Sequence, residues 1–140
     1  MARVRRPLFF ALIYVALIFI ASSIPSLKPP GPDFVPVDKI AHVVEYFILG
    51  VLLFKGIGWT MSRSRAATFG FIVTVGVSIG ALDEIYQSYV PGRMMSILDW
   101  YADALGTAAG SGLFIFTGLG SHARTAKTTG ERREGEGEIR

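Results

Sequence analysis

Four long apolar stretches, separated by short polar connections, dominate the pattern of the chain. They are residues 8–24, 40–57, 66–82 and 98–119. At about 1.5 Å per residue in a helix, each is close to the length that crosses a hydrocarbon core of about 30 Å. None alternates polar and apolar residues as the strand of a membrane barrel does. The pattern therefore predicts an all-α fold, a polytopic integral membrane protein built as a bundle of four transmembrane helices.

The connections between the stretches set the predicted helix ends. Residues 25–37 hold most of the seven prolines and cannot be helical, while Pro91-Gly92 is a turn dipeptide. We expect helices at about residues 8–24, 40–57, 66–87 and 98–119. Together they form one transmembrane domain, residues 8–119. Residues 121–140 mix charge with glycine and lack an apolar pattern, so we expect a disordered cytoplasmic tail there.

The first stretch is open to a second interpretation. Arg3, Arg5 and Arg6 precede its apolar core and small residues follow it, which is the layout of a cleaved signal peptide. The apolar core is long for a signal peptide, and Ser22-Ser23 is a poor cleavage site. Retention as a transmembrane helix is therefore the preferred interpretation.

The composition narrows the class of protein. Of 140 residues, 51% are hydrophobic and only 18% are charged, and there is no cysteine. A soluble domain carries about a quarter charged residues. These values argue against a soluble α/β enzyme, a disulfide scaffold, a cysteine-based zinc module and a disordered chain.

The distribution of charge predicts the orientation of the helices. Because Lys and Arg collect in cytoplasmic loops, we place both termini inside the cell. Of the 14 Lys and Arg residues, only Lys28, Lys39 and Arg93 then lie outside. Orientation thus explains the net charge of +3. Since no pattern of alternating basic and aromatic residues is present, we expect no nucleic-acid partner.

Polar and small residues form stripes on three of the predicted helices. The stripes are Asp38, His42 and Glu45 on the second helix, Gly76, Gly80, Asp83 and Gln87 on the third, and Asp99, Asp103, Gly106 and Gly110 on the fourth. Small residues four apart let transmembrane helices approach closely, so we expect the third and fourth helices to pack through their glycines. Ionisable groups in a span cost about 2.5–3.5 kcal/mol each and therefore face a protein interior or a water cavity. We expect a polar pocket that opens outward.

The predicted pocket draws its residues from the second, third and fourth helices and the loop before the fourth. They are Asp38, Lys39, His42, Tyr46, Glu84, Gln87, Arg93, Asp99 and Asp103. Simpler explanations remain open for several of them. Asp38 and Asp99 can each stabilise a helix N-terminus. Arg93 can be a loop charge and His42 can bond a backbone carbonyl, and the whole set can be a structural network of ion pairs.

Three short motifs follow one another at fixed spacings. They are Asp38-Lys39-x-x-His42-x-x-x-Tyr46, Asp83-Glu84-x-x-Gln87-x-x-x-Pro91-Gly92-Arg93 and Asp99-x-x-x-Asp103-x-x-Gly106, with Ser22-Ser23 before Pro25. In this order, and within four apolar stretches, they resemble the VanZ-like membrane protein family over about residues 8–119. Where this chain has Asp103, the family typically has Asn. The extra negative charge requires compensation by Arg93 or Lys39, or protonation of Asp103.

The resemblance implies a multi-pass protein of the bacterial cytoplasmic (inner) membrane. The founding member of the family is associated with low-level resistance to teicoplanin, a glycopeptide that acts on the cell wall. We therefore expect a non-catalytic envelope protein whose outward pocket binds a lipid-linked cell-wall precursor or an amphiphilic glycopeptide. The expected partners are that molecule and the lipid bilayer, and we assign no cofactor and no metal.

The alternative is a membrane-embedded hydrolase or transferase that acts on a lipid-linked envelope precursor. The candidate catalytic residues are His42, Glu45 and Glu84. Arg93 would hold a phosphate or carboxylate of the substrate. A hard divalent ion is conceivable among His42, Glu84, Asp99 and Asp103. Against catalysis, the chain has no cysteine and no HExxH or P-loop motif. Four helices without paired repeats argue against a transporter.

Overall fold

The computed structural model describes residues 2–25, 37–58 and 64–117. Within these ranges the protein has four α-helices and no strand, and the all-helical prediction is confirmed. The helices are α1 (Ala2–Ser22), α2 (Val37–Leu53), α3 (Arg65–Gln87) and α4 (Ile97–Thr117). A π-helical segment, Phe54–Gly58, follows α2 directly. Most of the predicted proline-rich loop and the predicted tail at 121–140 lie outside the described residues.

The helix ends follow local signals in the sequence. α1 begins at Ala2, earlier than predicted, and contains Pro7 within the helix. The Ser64 hydroxyl caps α3 by accepting a hydrogen bond from the Ala67 N–H at 3.2 Å. Gly92 has a φ angle of 78° in the turn before α4, a conformation that glycine adopts without strain.

The direction of the helices brings four helix ends together. α2 and α4 make the most extensive contact in the bundle. They run in the same direction, because Lys39 pairs with Asp99 and, one turn further along both helices, His42 pairs with Asp103. α3 leads into α4 through a short turn and therefore runs the opposite way. The ends of α1 and α3 thus meet the starts of α2 and α4.

Glycines on α4 face α2, which differs from the packing expected from the sequence. A Cβ atom on Gly106 would lie under 3 Å from the backbone oxygen of Val43, and one on Gly110 would lie as close to that of Phe47. These two helices therefore touch backbone to backbone. The helical stripe identified small residues on a packed face, but it did not identify the helix that they meet.

The glycines of α3 face α4 in a different way. A Cβ atom on Gly76 would meet the side chain of Thr107, and one on Gly80 would lie 2.8 Å from Oδ2 of Asp103. α3 therefore makes room for side chains of α4, not for its backbone. The predicted contact between α3 and α4 exists, but it is not a glycine-to-glycine contact.

Large apolar side chains cover much of the outside of the helices. The exposed ones include Phe9, Phe10, Leu12, Leu17, Ile20, Val44, Phe71, Leu82 and Leu105. Extensive apolar surface of this kind marks contact with a membrane or a partner. Val37–Ile57 and Arg65–Gln87 are long and apolar enough to cross a membrane, and Pro7–Ser22 is a shorter apolar helix. These features indicate a membrane protein.

Candidate functional site

Polar side chains meet at the end of the bundle where α1 and α3 end and α2 and α4 begin. We call this group the polar cluster. Its members are Ser22, Lys39, His42, Tyr46, Asp83, Glu84, Gln87, Asp99 and Asp103. All of them except Lys39 are buried. So many buried polar groups in an apolar bundle require partners or a function.

Two polar pairs join α2 to α4. His42 Nδ1 lies 2.8 Å from Oδ1 of Asp103, whose side chain is completely buried. One turn nearer the helix ends, Lys39 Nζ lies 2.5 Å from Oδ1 of Asp99 and 2.7 Å from Oδ2 of Asp38. The direct partner of Asp103 is therefore His42, whereas the sequence suggested Lys39 or Arg93. The hydrogen bond also fixes the orientation of the imidazole ring.

Glu84 links the end of α3 to the start of α4. Its Oε2 accepts a hydrogen bond from the Ser96 backbone N–H at 2.6 Å, and Ser96 Oγ accepts one from the Asp99 N–H at 3.3 Å. In a capping box, the acidic residue three positions after the cap accepts the cap N–H. Here the acidic residue that accepts the N–H of the cap residue Ser96 is Glu84, which belongs to α3 and not to α4. The Asp99 carboxylate is consequently available to pair with Lys39.

Gln87 and Arg93 connect this end of the bundle to α1. Gln87 Nε2 donates to Oδ2 of Asp83 at 2.9 Å and to Oγ of Ser22 at 3.2 Å. The Arg93 guanidinium donates to two carbonyl oxygens at the end of α1, at 3.3 and 3.4 Å. A cation at the carbonyl end of a helix is stabilised by the helix dipole. Within the described residues, Arg93 thus bonds to backbone and forms no ion pair.

The other predicted residues join the cluster to different degrees. Tyr46 is completely buried one turn after His42. Asp38 lies at the edge, where 51% of its side chain is exposed. Glu45 is half-buried, and its side chain forms no hydrogen bond with another described residue. The structure therefore brings together the residues that interact across α2, α3 and α4, with Asp38 and Glu45 on the periphery.

Several buried polar atoms have no hydrogen-bond partner within the described ranges. They are Tyr46 OH, Asp83 Oδ1, Glu84 Oε1, Asp103 Oδ2 and Thr107 Oγ1. All but the last belong to the polar cluster. In addition, donor atoms of His42, Glu84 and Asp103 lie within 4.8 Å of one another. Chemically, the cluster offers buried acceptors that can take hydrogen-bond donors or a cation.

Two residues that contribute to this arrangement were not identified from the sequence. Ser96 starts the spacing Ser96-x-x-Asp99, which is typical of a helix start and was visible in the sequence. Thr107 lies one turn after Asp103 and fills the space beside Gly76. No pattern distinguishes Thr107, because its place depends on how α3 lies against α4.

Comparison with known protein families identifies one to which most of the chain is similar. The sequence model of the family described as VanZ-LLP1: VanZ/LLP1 matches residues 6–118, which is most of the chain. No curated protein and no solved structure matches the chain. The matched region includes all four helices except the first residues of α1.

Proposed function

The chain belongs to the VanZ/LLP1 family, and on that basis we propose that it is a multi-pass protein of the bacterial cytoplasmic (inner) membrane that binds an amphiphilic envelope molecule. Its four helices cross the bilayer with both termini inside. The polar cluster lies near the outer surface and holds the headgroup of a lipid-linked precursor or of an amphiphilic glycopeptide. Binding at this place contributes to tolerance of teicoplanin-type glycopeptides.

The buried polar cluster is the observation that carries the proposal. A bundle that needed only to span a membrane would be more stable with apolar residues at these positions. Instead, Asp83, Glu84 and Asp103 are buried, and each keeps one oxygen without a partner among the described residues. Unsatisfied buried acceptors are costly unless a ligand completes them.

The membrane arrangement is supported by surface and charge. Apolar side chains face outward from α1 and α4 as well as from the two long spans, for example Leu12, Leu17 and Leu105. The excess of Lys and Arg on the predicted inner segments favours the orientation with both termini inside. In that orientation the start of α2 and the end of α3 face the outer leaflet. An amphiphile anchored in that leaflet can present its headgroup there.

The charge of the cluster restricts the chemistry of the headgroup. Among the described residues, the carboxylates at this end of the bundle are Asp38, Glu45, Asp83, Glu84, Asp99 and Asp103, and the permanent cations are Lys39 and Arg93. Both of these cations are already engaged, Lys39 with carboxylates and Arg93 with backbone oxygens. The described part of the cluster therefore favours a headgroup that supplies N–H or O–H donors or that is held through a cation.

Mass spectrometry of co-purifying molecules tests the proposal. The full chain is isolated in mild detergent as wild type, as His42→Ala and as His122→Ala, the matched change at the chain's other histidine. We expect a lipid-linked or amphiphilic envelope species with the wild type and with His122→Ala, and its loss from His42→Ala. Equal amounts in all three proteins, or no species enriched over an unrelated membrane protein, would contradict the proposal.

Expression in a susceptible strain tests the contribution to tolerance. The wild type and His122→Ala are expected to raise the teicoplanin concentration that inhibits growth, and His42→Ala is not. Equal susceptibility of all strains, at equal amounts of protein in the membrane, would remove tolerance from the proposal. The binding result would be unaffected.

The hydrogen bond between His42 and Asp103 supports catalysis as the second candidate function. A buried carboxylate that orients an imidazole is the arrangement that general-base histidines use. Turnover of a lipid-linked precursor separates the two functions. A binding protein leaves the precursor intact, whereas a hydrolase or transferase converts it and loses this turnover in Asp103→Asn, which preserves the shape of the side chain. Assay of precursor cleavage in proteoliposomes, with folding checked by circular dichroism, distinguishes them.

A further inference from the structure

We propose that His42, Glu84 and Asp103 form a binding site for one divalent transition-metal ion, Zn²⁺ or Mn²⁺. The three residues come from α2, α3 and α4 and meet inside the polar cluster. One part of this inference rests on the proposed function and deepens it. The bound ion supplies the positive charge with which an acidic cluster holds an anionic headgroup. The ion site itself rests on geometry alone.

The donor atoms are close to the separations that a metal ion requires. One donor from each of the three residues lies within 4.8 Å of the other two. Ligand atoms about 2.1 Å from a shared tetrahedral ion lie about 3.4 Å apart. The donors therefore have to approach one another by at most about 1.4 Å, which we expect rotation of the side chains to supply.

The unpartnered oxygens are a second, independent reason to expect a cation. Glu84 is 2% exposed and Asp103 is not exposed at all. Each uses one carboxylate oxygen, for the Ser96 N–H and for His42 respectively. The other oxygen of each, Glu84 Oε1 and Asp103 Oδ2, is buried and has no partner among the described residues. A cation satisfies both oxygens at once, which no single hydrogen-bond donor of the cluster does.

The hydrogen bond to Glu84 orients this ligand as the outer shell of a metal site does. The Ser96 N–H holds the Glu84 carboxylate in place. Removal of a group that orients a metal ligand in this way commonly lowers metal affinity by about 10- to 100-fold. His42 Nδ1 already lies 2.8 Å from Oδ1 of Asp103, so Nδ1 is the nitrogen that can share an ion with this carboxylate, and the ion replaces their direct hydrogen bond.

The donor set identifies the class of ion. Ca²⁺ and Mg²⁺ prefer oxygen ligands alone. An imidazole nitrogen with two carboxylates suits Zn²⁺ or Mn²⁺ better. Three protein ligands leave at least one coordination position open, as in zinc sites that bind a substrate. A phosphate or carboxylate oxygen of an anionic headgroup is the expected occupant of that position.

Metal binding by the full chain in detergent tests the site. The protein is stripped with a chelator, incubated with MnCl₂ or ZnCl₂ alone and passed through a desalting column, and bound metal is measured by mass spectrometry. We expect about one ion per chain for the wild type. Glu84→Gln is expected to weaken binding at least about tenfold. The matched change Glu134→Gln, in the predicted tail, is expected to leave binding unchanged.

The Mn²⁺ spectrum adds a readout that a structural role would not change. Electron spin echo spectroscopy of the wild-type complex is expected to show coupling to one imidazole nitrogen, and His42→Gln is expected to lose that coupling. His42→Gln keeps a side-chain donor for Asp103, so it also serves if Glu84→Gln fails to fold. Circular dichroism and gel filtration establish which variants fold.

Three outcomes would overturn the metal site: no ion retained by the wild type, equal binding by Glu84→Gln and the wild type, or equal loss in Glu84→Gln and Glu134→Gln. The proposed function can fail separately. An ion bound by a protein that carries no amphiphile would refute the function and leave the metal site standing. An amphiphile retained at full occupancy by the chelator-stripped protein would refute the role of the ion in holding the headgroup and leave the proposed function standing.

Discussion

The two packed faces of α4 use glycine for different purposes. Toward α2, Gly106 and Gly110 lie on α4 itself and let its backbone touch the backbone of the neighbouring helix. Toward α3, the glycines lie on the neighbouring helix, and Gly80 leaves space for the Asp103 carboxylate. The first face fixes how close two helices lie. The face toward α3 leaves space for the carboxylate of Asp103. Glycine, which usually indicates close helix packing, therefore also indicates the position of the site here.

The largest effect is expected at the face toward α2. In Gly110→Ala, the new methyl group meets the backbone oxygen of Phe47, which cannot move without its helix. We expect the free energy of unfolding to fall by about 3 kcal/mol, measured by reversible denaturation in detergent micelles. An unchanged stability would show that α2 and α4 are less tightly packed than described.

A smaller and more specific effect is expected at the face toward α3. In Gly80→Ala, the methyl group displaces the Asp103 carboxylate, and we expect a loss of about 1–2 kcal/mol together with weaker metal binding. Because the obstacle is a side chain, Gly80→Ala and Asp103→Ala should not be additive. A double-mutant cycle on unfolding free energy measures the coupling. Strict additivity would mean that Gly80 does not shape the site.

Removing the hydroxyl of Thr107 is expected to change stability by no more than about 1 kcal/mol. This oxygen is buried without a partner in the described part of the chain, so Thr107→Val keeps the shape beside Gly76 and removes an unsatisfied group. We expect equal or higher stability in the same denaturation assay. A marked loss would reveal that the hydroxyl has a polar role.

The smallest effect is expected at Gly70, which provides the matched control for the other glycines. A Cβ atom there meets nothing within 4 Å. Gly70→Ala is therefore expected to stabilise α3 by about 0.5 kcal/mol, because alanine loses less backbone entropy than glycine in a helix. Destabilisation comparable to that of Gly110→Ala would show that any glycine replacement disturbs this bundle and would remove the contrast between the two faces.

The sequence predicted where the helices lie and which residues share a helix face. It predicted less well which neighbouring helix each face contacts. Apolar length and the Pro91-Gly92 turn are local signals, and the structure has helices close to those positions. Periodicity also placed Asp99, Asp103, Gly106 and Gly110 along one stripe. It could not show that this stripe divides, with Asp103 beside Gly80 of α3 and Gly106 against α2. That division depends on the angles between helices, which a single helix does not encode.

The same limit applies to the charged residues. The sequence indicated that the negative charge of Asp103 requires compensation, and it suggested Lys39 or Arg93. The structure instead pairs Asp103 with His42, which lies 61 positions away in the chain. Arg93 looked like a partner for acids and bonds the end of α1 instead. Both pairings depend on which helix ends meet. The pocket, its ligand and the direction in which it opens remain predictions.

The hydrogen bond between Glu84 and the Ser96 N–H has a consequence for the order of folding. These residues are 12 positions apart, whereas His42 and Asp103 are separated by 61. Closing a short segment of chain loses less entropy than closing a long one. We therefore expect α3 and α4 to form a hairpin first, held by this hydrogen bond at its turn, and α2 to pack against α4 afterwards. The order of assembly then follows from a single carboxylate near the end of α3.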